Sequence, residues 1–243
     1  MTSEKNFQER TVGELVAEDY RAAEVFKKNG IDFCCGGKKT VGEICMQQGL
    51  SADSLEAELA QLGDVAAPTR LNFGDWGLAF LSDYIVNVHH SYVLEKIPQI
   101  AQYANKVSLA HGHAHPETTA IAHLFEQLAE ELITHLEKEE GILFPYIKRL
   151  WSVQEGQGKI APPPFGSAAN PIRVMEAEHE SAGEAMQEIR RLSGGFTPPD
   201  SACNTYRVLY KLLEEFEADL HQHVHLENNI LFPKAVALEQ SLV

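Results

Sequence analysis

From about Trp76 to the end of the chain, apolar residues recur three and four positions apart. That spacing lines one face of an α-helix and leaves polar residues on the other. It predicts long amphipathic helices near 76–105, 117–150, 171–193 and 200–238. Their connections are histidine-rich around 111–116, Gly/Pro-rich over 155–171, and run from Gly194-Gly195 to Pro198-Pro199. No segment reads as a run of alternating strands, so the fold class is all-α. Four such helices give an antiparallel four-helix bundle, placed at residues 75–240. The first sixty-odd residues, 1–65, form a small helical domain of their own. Thr11-Val-Gly-Glu14 and Thr40-Val-Gly-Glu43 are capping boxes that start helices, and Gly30 ends the first of them. A third short helix starts near Ser51 and runs through Leu62, and Gly63 to Pro68 reads as a linker that lets the unit move.

Titratable residues interrupt the apolar stripes in a repeated way. His135-Leu-Glu-Lys-Glu139 and His223-Val-His-Leu-Glu227 both fit H-x3-E-x4-F-P, eighty-eight residues apart. Residues four apart share a helix face, so each copy aims an imidazole and a carboxylate at one point. Around them run Leu128, Leu132 and Ile142 in one helix, and Leu213, Phe216, Leu220 and Ile230 in the other. A carboxylate in an apolar stripe is costly unless paired or bound to metal. His179 lies in a third stripe with Ile172, Met175, Ala182, Met186 and Ile189. In the first helix His89 and His90 diverge by about 100°. His90 continues the stripe of Val86, Val93, Ile97 and Ile100, whereas His89 follows Ile85, Tyr92 and Lys96 toward solvent. His90 is therefore the candidate. Each half of the bundle then gives one histidine from its first helix, and a histidine with a glutamate from its second.

Four imidazoles and two carboxylates exceed the needs of one tetrahedral zinc ion. Mixed nitrogen and oxygen ligation suits iron or manganese, and a carboxylate bridges two ions. Glu139 and Glu227 are read as bridges, and His90, His135, His179 and His223 as terminal ligands. Glu131 and Asp219, each four residues before a ligand histidine, are placed to orient its ring. His111, His113 and His115 read as a solvated loop, and His123, His221 and His225 as surface or flanking groups.

The formal net charge of -15 opposes nucleic acid or an anionic membrane surface as partner. No stretch approaches the ~20 apolar residues of a membrane span, and the polar N-terminus carries no signal region. Four cysteines, unevenly spaced, make no disulfide framework, so the expectation is a cytoplasmic protein with reduced thiols. Gly30 to Thr40 looks like a phosphate loop, but Lys39 follows Lys38 and no strand precedes it, so nucleotide binding is rejected. Cys34 and Cys35, beside two glycines and two lysines, are candidate functional thiols suited to transient metal ligation or exchange.

Ile31-Asp-Phe-Cys34-Cys35-Gly36-Gly37, followed by a bundle with paired H-x3-E-x4-F-P motifs, resembles the iron–sulfur cluster repair (RIC) di-iron proteins. Those combine a small N-terminal cysteine domain with a hemerythrin-like domain, and the resemblance covers nearly the whole chain. It implies two non-haem, carboxylate-bridged iron ions on His90, His135, Glu139, His179, His223 and Glu227. It favours His90 over His89 because the family's first ligand lies eight residues before a proline, here Pro98. It implies damaged iron–sulfur proteins as clients, nitric oxide or oxygen as small ligands, and a monomer or homodimer. The implied function is repair of clusters damaged by nitrosative or oxidative stress, by supplying iron or handling nitric oxide. The alternative is a nitric oxide reductase, or a nitric oxide or oxygen scavenger or sensor. Three features depart from the family: His89 where tyrosine is often found, the histidine-rich 111–115 loop, and the long 152–171 connection. They bear on access and partner contact.

Overall fold

The computed structural model describes residues 6–63 and 72–242. Both expected capping boxes are present. Thr11 starts α1 (Val12–Glu18) and Thr40 starts α3 (Val41–Gln48), each hydroxyl accepting from the glutamate amide three residues on. The two starts lie side by side, with the Val12 amide on the Lys39 carbonyl (3.1 Å) and the Val41 amide on that of Arg10 (2.9 Å). The first expected helix is in fact two. The Asp19 side chain accepts the Arg21 amide (3.1 Å), a local turn that competes with helical bonding. The chain restarts as α2 (Ala22–Lys28). Gly30, at φ +68, then closes α2 by letting the Ile31 amide reach back to the Phe26 carbonyl. After α4 (Ala52–Gly63) the expected linker lies, beyond Gly63, outside the described residues.

Four long rods follow. The first joins α5 (Leu78–Ile85) to α6 (Ser91–His111), and the second joins α7 (Glu117–Lys138) to α8 (Phe144–Gln154). The third is α9 (Ala169–Leu192), and the fourth joins α10 (Asn204–Leu226) to α11 (Phe232–Leu242). α6 packs on α7 and α10, α7 on α9, and α8 on α5 and α11. Among the described residues there is no strand, and no helix is long and apolar enough to cross a membrane.

Three rods contain one π turn each, at Val86–His90, Glu139–Leu143 and Glu227–Leu231. In each the amide after the turn reaches five residues back, Phe144 to Glu139 and Phe232 to Glu227 in the two motif copies. A proline follows in both copies. Its ring has no amide to give and crowds the carbonyl four residues earlier, so a widened turn relieves the clash. The extra residue shifts the stripe. Ile142, expected inside, is 51% exposed, and Leu143 takes its place at 1%.

Two apolar clusters flank the π turns. One holds Leu81, Ile85, Phe144, Ile147 and Phe232. The other joins the bundle's Phe125, Phe216 and Leu220 to Val12, Phe26, Ile31 and Phe33 of the N-terminal helices.

Candidate metal centre

Six buried side chains meet at one point between those clusters, three of them (His90, Glu139 and Glu227) in the π turns. His90, Glu139, His223 and Glu227 form one potential ligand group, and His135, Glu139, His179 and Glu227 a second. Both glutamates belong to both groups. His223 and His179 Nε2 each lie 3.1 Å from a Glu227 oxygen, on Oε1 and Oε2 respectively. His90 and His135 Nε2 each lie 3.4 Å from Glu139 Oε2. The His135 and His179 Nε2 atoms are 3.0 Å apart. Two nitrogens held about 2.1 Å from one ion in an octahedral arrangement lie about 3 Å from each other.

Glu139 is fully buried, yet neither of its oxygens accepts a hydrogen bond. Glu239 shows what a structural carboxylate does in the same protein: it accepts from Tyr146, Ser167 and the Ala168 amide at the start of α9. A buried carboxylate left without such donors fits a cation. The imidazoles are held from behind, as ligand histidines are. Nδ1 of His90 pairs with Glu140 (2.9 Å), that of His135 with Glu178 (2.8 Å) and that of His179 with Asn228 (2.8 Å). Lys138 in turn pairs with Glu178.

Four sequence expectations need correction. Glu131 does not orient His135; it stays exposed at the edge of the α7 stripe, and Glu178 from the neighbouring rod takes that ring instead. Asp219 orients His89 (2.9 Å) rather than His223. His89 is 1% exposed, not in solvent, because the π turn at 86–90 turns both adjacent histidines inward. His225 is likewise buried, against Phe33 and Tyr20. The missed supports follow the internal repeat. Glu140 and Asn228 are eighty-eight residues apart, and Glu178 corresponds to His89 by the eighty-nine-residue offset that relates His179 to His90. Where Glu178 accepts from His135, His89 stacks on His223 instead (5.7 Å between centroids, 5° between planes).

Without metal these groups share protons. Burial pushes His90 down, but Glu139 and Glu227 outweigh it and hold it up at about 10. Burial likewise opposes, and Glu139 chiefly causes, the rise of His135 to about 9. Burial pushes Glu227 up, but His223, His179 and His90 hold it well below the usual carboxylate range. Burial dominates at His223 and lowers it.

Residues 82–235 match the hemerythrin HHE cation binding domain, and residues 8–63 match a domain of unknown function, DUF542. An iron-sulfur cluster repair protein YtfE from Enterobacter sp. (strain 638) is 37% identical over 96% of this chain and 99% of its own. The protein of that name from Pectobacterium atrosepticum is 38% identical over 95% and 98%, and that from Escherichia coli O81 is 36% identical over 96% and 99%. This chain is a member of that iron–sulfur cluster repair family. As a hemerythrin-type member it carries a cation-binding domain, and the six converging residues all lie within it.

The N-terminal part of this family member docks directly on the turn that carries Glu227. Asn229, two residues past Glu227, donates to the carbonyls of Phe33 (3.1 Å) and Cys34 (3.2 Å). Gly13 and Gly37 close over it: a Cβ on either would fall 2.5 or 2.3 Å from Asn229 Oδ1. Cys34 is buried and Cys35 half-buried, with Cys35 Sγ 3.5 Å from the His179 carbonyl.

Proposed function

We propose that this chain is a non-haem di-iron protein that repairs iron–sulfur clusters damaged by nitrosative or oxidative stress, and that it does so by supplying iron. The sharing of Glu139 and Glu227 between two four-residue groups carries this reading. A centre of that kind wants two ions with bridging carboxylates, and histidine-rich, thiol-free ligation suits iron. His90 and His223 would serve one ion, and His135 and His179 the other. Bound there, an iron pair supplies one-electron chemistry, an affinity for small diatomic ligands, and ferrous ions for transfer. The protein's own part is to hold the four Nε2 atoms inward and to set the basicity of three of the imidazoles through Glu140, Glu178 and Asn228. Apolar side chains on both sides exclude water. The names borne by relatives that match nearly end to end support the repair reading.

The decisive experiment gives the anaerobic, iron-loaded protein both a damaged cluster enzyme and nitric oxide, and follows iron and gas together. Recovery of the client with stoichiometric loss of iron from this protein is expected. Catalytic formation of nitrous oxide without iron loss would replace the repair reading with an enzymatic one. Tight occupancy by one tetrahedral zinc would overturn the di-iron centre itself.

A further inference from the structure

Outside the bundle centre, the described residues hold one other cluster of metal-ligating atoms: Asp32, Cys34 and Cys35. We propose that these three side chains form a separate mononuclear site for a thiophilic divalent cation of the first transition row. The proposal that this site exchanges ions with the bundle centre rests on the iron-supply reading above.

Ligand atoms about 2.1–2.3 Å from a common ion lie about 3–4 Å from one another. Cys34 Sγ is 4.0 Å from Cys35 Sγ and 3.1 Å from Asp32 Oδ1. Neither thiol is in a disulfide. Adjacent cysteines in a helix or strand point apart, so a turn has to bring these two together. Asp32 builds that turn, accepting the amides of Cys34 (2.9 Å) and Cys35 (3.1 Å) on one oxygen and that of Gly36 (2.9 Å) on the other. These bonds fix the carboxylate, and of its roughly four acceptor positions the last is taken by the Cys34 thiol, whose proton would leave when an ion binds and free that position for the ion.

A cleft of about 300 Å³ opens onto the pair, and its wall includes Asn228, the residue that holds His179. Cys35 reaches the His179 backbone alongside Gly183, where a Cβ would lie at ordinary contact distance, 3.6 Å from the sulfur. The thiols thus stand between solvent and a ligand of the bundle centre. In the absence of metal the contact with Cys35, and then burial, hold the Cys34 thiol well above its usual range.

The test uses the full-length chain with its bundle centre already loaded, reduced and anaerobic, titrated with cobalt(II) alone. One further cobalt per chain is expected, with a thiolate-to-cobalt charge-transfer band. Cys35→Ser, at the cleft wall, should weaken this binding at least tenfold, and Asp32→Asn, which keeps amide acceptance on one oxygen, should weaken it less. Both variants should keep their helical signal and their bundle metal. Absence of a sulfur band in the native chain, or an unchanged band in folded Cys35→Ser, overturns the site. For exchange, a chelator should strip iron from the bundle centre at least tenfold more slowly in Cys35→Ser, with equal starting content. Equal rates overturn the exchange role. If cobalt binds as described but no client recovers iron, the iron-supply reading fails and the site stands.

Discussion

At the residue scale, Glu139 is held between His90 and His135 with no hydrogen bond to either oxygen. Glu139→Leu removes a buried carboxylate together with the charge that helps hold His90 and His135 protonated, and breaking a buried pair at one end commonly costs about 3–5 kcal/mol. The metal-free variant is expected to stay helical but melt below the native temperature near neutral pH, and to bind fewer than two irons per chain. Retention of two irons with unchanged spectra would refute the bridging role. For iron, His89 gives the opposite result. His89→Ala leaves Asp219 unpaired in a half-buried position, at a cost of about 1–3 kcal/mol, while iron stays bound. His90→Ala should lose iron. The titrating groups also set a pH profile for the metal-free chain. His90 and His135 are raised to about 10 and 9, so their contribution is complete below the ordinary 6.5 and is lost as pH rises through those values. His225 is lowered to about 4 by burial, so its contribution is complete above 6.5 and is lost as pH falls toward 4. Melting temperature should therefore peak near 6.5. In the iron-loaded chain the alkaline decline should vanish, because bound imidazoles carry no extra proton. A metal-free melting temperature that climbs from pH 7 to 10 would contradict this assignment.

At the scale of elements, the π turns decide which residues face inward. Gly141, in the turn that begins at Glu139, has open space where a Cβ would stand. Deleting it returns α7 and α8 to one continuous helix with both apolar faces kept. The deletion variant should remain helical, as circular dichroism would show, and hold less than two metal ions. Equal metal content would mean that the widened turn is incidental. Docking of the N-terminal helices depends on close approach at Asn229. Gly37→Ala puts a methyl where the Asn229 side chain lies. Faster limited proteolysis of the N-terminal part is expected, with the bundle core intact.

For the whole molecule, the shared core changes what a truncation would do. Phe26, Ile31 and Phe33 are buried in the same cluster as Phe216 and Leu220 of the bundle. The Phe33 ring lies 5.9 Å from both His221 and His225. Removing residues 1–65 would therefore uncover large side chains, each worth about 2 kcal/mol when buried. The truncated bundle should melt earlier and associate as its concentration rises, which sedimentation would detect. A monomeric truncation as stable as the full chain would show that the two parts are energetically independent. The sequence reading of a mobile accessory unit gives way here to a docked one, seated on the turn that carries Glu227.

The sequence by itself determined the all-α class, the four rods, both capping boxes and the six residues that converge, because helical periodicity and an eighty-eight-residue repeat are local, additive signals. It did not determine which polar neighbours support the converging histidines. Glu178 reaches His135, Asn228 reaches His179 and Asp219 reaches His89 only across rods, and contacts between rods leave no periodic trace. Regular helix geometry also misplaced His89 and Ile142, since a single widened turn rotates everything beyond it. Tertiary packing alone set Cys35 against the His179 carbonyl, 144 positions away in the chain. It could do so because Gly13 and Gly37 let the segment that carries the cysteines close over the Asn229 side chain.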